Sequence, residues 1–107
     1  MAAKESLTEL TARLNGRPEL LTDLDVLYRL RLGGEGGGTF DLRIAAGQAV
    51  LSEGGTEPAT AEVSLSVPDF VSLSQGQTSG MALFMGGRIK VDGDLGTALK
   101  LESLLRS

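Results

Sequence analysis

Residues 76–105 read GQTSGMALFMGGRIKVDGDLGTALKLESLL, and the rhythm changes repeatedly within them. Ser79 stands where a side-chain oxygen can cap a helix running to Met85, and Gly86-Gly87 closes that helix. Met81, Leu83, Phe84 and Met85 put large apolar groups on nearly all sides of one turn. A helix that is apolar all round is either buried on both sides or lines a cavity, and both readings stand at this point. Methionine adapts its shape to varied neighbours, which suits either role. Ile89 and Val91 then alternate with Arg88, Lys90 and Asp92 as a short strand. After the turn at Asp92-Gly93-Asp94, Asp94 can cap a terminal helix carrying Leu95, Ala98, Leu99, Leu101, Leu104 and Leu105.

Working back toward the N-terminus, Pro68 and Asp69 open another helix, which holds Phe70, Val71 and Leu73 and stops at Gly76. Before it the period is two. Val26, Tyr28, Leu30 and Leu32 alternate with Leu27, Arg29 and Arg31, giving one apolar and one largely basic face. Past the loop at 33–38, Phe40, Leu42 and Ile44 alternate with Thr39, Asp41 and Arg43, completing a hairpin. Gly47 turns the chain into a third strand over 49–52, and 53–58 form a polar loop. Ala61, Val63, Leu65 and Val67 make the inward side of a fourth strand. At the start, Ser6-Leu7-Thr8-Glu9 has the spelling of a capping box. Leu7, Leu10 and Leu14 follow at helical spacing until Gly16 and Pro18, and Pro18-Glu19-Leu20-Leu21 suits a short helix or a turn. The order α-ββββ-αα-β-α predicts an α+β fold: a five-stranded, mostly antiparallel sheet with helices on one face, in one domain over 1–107.

Composition removes most chemistries. At 107 residues the chain can bury a sizeable core without staples. With no Cys there are no disulfides, thiolate metal sites or thiol nucleophiles, and with no His the commonest general base and metal ligand is gone. The net charge of -4 argues against nucleic acid, which selects clustered Lys and Arg. No apolar run approaches the roughly 20 residues of a membrane span, so no stable membrane insertion is expected. The N-terminus has no signal-peptide core and the chain ends without a Ser-Lys-Leu address, so a cytoplasmic location is expected.

The remaining motifs favour plain readings. The glycines at 33–38 have no phosphate-loop spelling and join two strands, so they predict a loose hairpin loop. Asp92 and Asp94 begin like a calcium loop, but Gly96 and Ser103 stand where further ligands are needed. Asp23 and Asp25 lack a third ligand, and no Ser sits in Gly-x-Ser-x-Gly. No cofactor, no metal and no catalytic residue are expected.

The C-terminal third resembles the sterol carrier protein 2 family, through Gly76, Phe84, Met85, Gly87, Ile89, Lys90, Val91, Gly93, Asp94, Ala98, Leu99, Lys100 and Leu101. Asp69-Phe70 and the Thr39-Phe40 pair after the glycine-rich turn fit the same pattern. Gly80 stands where many members have Pro, and Thr78 where an aliphatic residue is usual. The resemblance implies an apolar cavity between helices and sheet and a non-enzymatic carrier of fatty acyl chains, acyl-CoA or sterol-like molecules. It makes Phe70, Leu73, Met81, Phe84, Met85, Leu95, Leu99 and Leu101 its candidate lining, with Phe40, Leu42 and Leu65 as its floor. The alternative is an interaction module whose groove docks a partner helix or forms a homodimer.

An empty cavity of about 300 Å³ would cost roughly 7 kcal/mol at about 24 cal/mol per Å³, so a ligand or an inward collapse is expected to fill it. The terminal helix, wet at Lys100, Glu102 and Arg106, is expected to act as a lid with Leu99 inward and its last turn detachable.

Overall fold

The structure, a computed structural model, describes residues 3–55 and 57–105. Thr56 and Arg106, expected from the sequence in a polar loop and on the terminal helix, lie outside that range. Helix α1 (Ala3–Asn15) and a single 3₁₀ turn (Pro18–Leu20) lead into β1 (Val26–Gly33), β2 (Gly38–Ala45), β3 (Gln48–Glu53) and β4 (Ala61–Ser66). Helices α2 (Val67–Ser74) and α3 (Gly80–Met85), strand β5 (Lys90–Gly93) and helix α4 (Leu95–Leu105) complete the order.

The strands form one sheet in the order β3-β2-β1-β4-β5. The hairpin pairs β1–β2 and β2–β3 are antiparallel, as is β4–β5, but β1 and β4 run parallel, so the sheet is mixed. The period-two pattern sets the faces. Tyr28 lies opposite Leu42 on one side and Ala61 on the other; Leu30 likewise lies between Phe40 and Val63. These side chains join Leu7, Leu10 and Leu14 of α1, Phe70 and Leu73 of α2, and Leu101, Leu104 and Leu105 of α4 in one buried core. Asn15 fixes the end of α1 to the sheet edge, donating to Ala49 O at 2.8 Å and accepting from Ala49 N at 2.8 Å.

The opposite face is not simply solvated. Arg29 and Asp41, expected on an outward polar face, are both buried. Arg29 Nε donates to Asp41 Oδ1 at 2.9 Å and Nη2 to Asp41 Oδ2 at 3.1 Å, and Nη2 also reaches Glu57 O at 2.7 Å. Asp41 accepts from Gly55 N at 2.9 Å. The loop between β3 and β4 is thus drawn across this face by backbone groups that sequence periodicity does not register.

Two boundaries depart from the expected ones. Helix α1 is already underway at Ala3, so Ser6 sits inside it and cannot be an N-cap. Val67 belongs to α2 and not to β4; Ser66 is the cap, its Oγ accepting from Asp69 N at 3.2 Å, with Pro68 in the first turn. Ser79 and Asp94 do cap their helices, accepting from Ala82 N at 3.0 Å and Thr97 N at 3.2 Å.

Candidate functional site

Helix α3 sorts its side chains sharply. Leu83 is its single buried residue and points into the core. Met81, Phe84 and Met85, at positions i, i+3 and i+4, share another face that is 64%, 56% and 77% exposed. Helix α4 is divided in the same way. Leu101, Leu104 and Leu105 are buried, while Leu95 and Leu99 in its first turns are more than half exposed. The final turn is therefore the anchored end, contrary to the expected detachable one: its leucines belong to the core cluster.

Between these faces lies a groove of about 200 Å³. Gly80, Met81, Phe84 and Met85 form one wall, and Leu95, Ala98, Leu99, Leu101, Glu102 and Leu105 the other. Val63 and Val91, cross-strand partners on β4 and β5, make the floor, with Leu73 and Ile89 completing the lining. Because its rim residues are exposed, the groove is open to water and is not the sealed cavity whose emptiness would carry the full cavity cost.

Of the residues singled out in the sequence, Leu73, Met81, Phe84, Met85, Leu95, Leu99 and Leu101 come together here. Phe40, Leu42 and Phe70 do not: they are sealed in the core, because β1 and β2 lie at the centre of the sheet, beneath α1 and α2. Leu65 is also absent from the groove and lines a separate cleft near the glycine-rich hairpin. The floor instead falls on β4 and β5, since the parallel β1–β4 pairing brings β5 to the edge beside α3 and α4. Val63, Ile89, Val91, Ala98, Glu102 and Leu105 were missed as lining. The stripe Leu95, Ala98, Leu99, Glu102 was readable at helical spacing; the pairing of Val63 with Val91 was not.

Glu102 is the charged side chain of the groove. Its Oε1 accepts from Gly80 N at 2.6 Å, tying the start of α3 to α4. A Cβ at Gly80 would collide with that oxygen, and a Pro there would have no N–H to offer. Gly80 thus belongs with Glu102. At the other end of α3, Arg88 Nε and Nη2 donate to Asp69 Oδ2 and Oδ1 at 3.1 and 2.6 Å, fixing the turn into β5 against α2. Beneath α4, the fully buried Tyr28 donates its hydroxyl to Thr97 O at 2.8 Å. Burial, and then the Asp94 carboxylate, push the Tyr28 phenol up to about 12. Asp94 is a helix cap and Asp92 an exposed strand residue; among the described residues no group of three acidic side chains could hold a metal ion. No described helix is long and apolar enough to cross a membrane.

Known proteins share this architecture. Sterol carrier protein 2 from Yarrowia lipolytica, in its apo form, superposes with a TM-score of 0.74 at 20% identity, over 95% of this chain and 85% of that one. The sterol carrier protein domain 2 of Helicoverpa armigera gives 0.74 at 26% identity, over 96% and 84%. Palmitated SCP2L2 from Aedes aegypti gives 0.76 at 17% identity, over 100% and 96%. Among curated relatives, hydroxysteroid dehydrogenase-like protein 2 of Bos taurus is 32% identical over 89 residues, 81% of this chain. Its counterpart in Danio rerio is 34% identical over 92 residues, 82% of this chain. The chain spans about a fifth of the length of these two relatives, 21% of each. The model of the SCP-2 sterol transfer family matches residues 7–106, and the chain belongs to that family.

Proposed function

We propose that the chain is a non-enzymatic lipid-binding domain, single over 1–107, whose groove between α3 and α4 holds the apolar body of a fatty acyl or sterol-like molecule. The observation that carries this reading is the set of five large apolar side chains, Met81, Phe84, Met85, Leu95 and Leu99, left exposed around one groove. Clustered exposed apolar groups mark an interaction site, and water alone is a poor occupant for this one. Family membership supports a lipid as the occupant. So does the Aedes aegypti relative with the same fold, which is a palmitated protein. The domain would work from the aqueous phase of the cytoplasm, taking up its ligand at the rim without inserting.

Native mass spectrometry of freshly purified protein tests this. A monomer carrying a lipid-sized adduct is the expected result. A dry dimer would favour the second reading, in which the same apolar rim docks another copy of the chain.

A further inference from the structure

Helix α4 carries an acid where its pattern calls for an apolar residue. Leu95, Ala98, Leu99 and Glu102 fall at i, i+3, i+4 and i+7, so Glu102 shares the stripe that walls the groove. It is half-buried there. A carboxylate among hydrocarbon side chains is costly unless it is hydrogen-bonded, and the Gly80 N–H at 2.6 Å supplies one such bond. A carboxylate has about four acceptor sites, so this bond does not by itself exhaust it.

The lining offers an anionic head nothing to pair with. Among the described residues that line the groove there is no Lys or Arg, and Glu102 is the ionisable one. Lys90 alternates with Val91 along β5 and so points to the other face of the sheet. Arg88, in the turn after α3, is held by both carboxylate oxygens of Asp69. The Gly80 N–H, a donor that could have met a carboxylate head, is already taken by Glu102. A fatty acid lying here would therefore bring a second negative charge beside a fixed one, in a space whose apolar walls screen the repulsion less than bulk water does.

We propose that Glu102 sets the head-group selectivity of the groove, favouring a neutral head that can donate a hydrogen bond, such as an alcohol, over an ionised carboxylate. A hydroxyl can donate to the Glu102 carboxylate; a carboxylate head can only accept and carries the same charge. This assignment rests on the reading of the groove as a lipid site and adds to it the residue that chooses among lipids.

Calorimetric titrations with decanol, decanoate and decylammonium at neutral pH, each below its aggregation concentration, compare three heads on one chain length. Glu102→Gln keeps an oxygen for the Gly80 N–H and loses the charge. It should raise decanoate affinity about tenfold relative to decanol at low salt, the scale of one charge pair near a protein surface, and the gain should shrink at high salt. Asp92→Asn removes the same unit of charge from an exposed position on the other face of the sheet and should leave the three affinities unchanged. Should Glu102→Gln fail to fold, the wild type still gives an answer: decylammonium should bind more tightly than decanoate, by a margin that salt reduces. If decanol and decanoate respond equally to Glu102→Gln, or Asp92→Asn matches its effect, the selectivity role is overturned and the lipid reading stands. Wild-type affinity for decanoate equal to that for decylammonium overturns it too. If none of the three amphiphiles binds the wild type, the lipid reading falls and takes this assignment with it.

Discussion

Tyr28 shows how a residue far from the rim still shapes the groove. Its ring is at the centre of the core, and its hydroxyl holds Thr97, two residues before the exposed Leu99. Tyr28→Phe should cost about 1–2 kcal/mol in chemical denaturation, because the Thr97 carbonyl loses its side-chain donor. The phenol also makes a pH prediction. With a folded value of about 12 against an ordinary 10.0, the proton is held more tightly in the folded state. This stability is present in full below about pH 10 and is lost as pH rises toward 12. Tyr28→Phe should therefore flatten the alkaline limb of the stability curve. Asp41 acts at the other end of the scale. The hydrogen bond from Arg29, and then the Gly55 N–H, hold its carboxyl below the usual carboxylate range, against the opposing effect of burial. Its contribution is present above that range and disappears as pH falls through it. Asp41→Asn should weaken the acid dependence of the melting temperature and destabilise at neutral pH. An unchanged acid limb would show that the pair is not what holds the β3–β4 loop. At the rim, Phe84→Asp should abolish lipid binding with little loss of stability, since Phe84 is exposed. Leu83→Asp, one residue away and buried, should unfold the domain.

At the scale of elements, α3 is the wall with the fewest anchors. Among the described residues, α3 buries one leucine and is tied down by the Gly80–Glu102 bond and the Arg88–Asp69 pair, whereas α4 drives three leucines into the core. In hydrogen exchange, amides of α3 should open early and slow when lipid is added, while those near Leu104 and Leu105 should exchange with the core in both states. Gly80→Pro keeps a residue suited to the first turn of a helix but removes the N–H that Glu102 accepts, so it should hasten exchange in α3 alone. Early exchange of the last turn of α4 would instead restore the picture of a C-terminal lid. The sequence was informative wherever one periodicity ran through an element. The alternation in β1, β2 and β4, the caps at Ser79 and Asp94 and the all-apolar turn of α3 were legible because local chemistry decides them. The choice between core and groove for Phe84 and Phe70 was not. Both are aromatic residues on short helices, and only the packing of α1 over one and open water over the other separates them. The parallel β1–β4 pairing likewise depends on contacts across the chain, and with it went the position of the floor.

For the molecule as a whole, core and groove divide the sheet. Helix α1 closes the side of β3 and β2, and α4 lies over β4 and β5, where α3 leaves a gap that Met, Phe and Leu side chains line. The sterol carrier architecture is thus reached with a stable half and an open half in a chain of 107 residues. A binding site made of apolar surface should report the size of its ligand through burial, at about 0.8 kcal/mol per methylene, or about fourfold in affinity, before the costs of association. The most direct measurement is the equilibrium affinity of a series of saturated fatty acids of increasing chain length, made on the wild type and on Phe84→Asp. Affinity should climb with each added methylene until the groove is full and then level off, and Phe84→Asp should flatten the climb. Affinity independent of chain length, or a climb that Phe84→Asp leaves intact, would contradict a lipid site between α3 and α4.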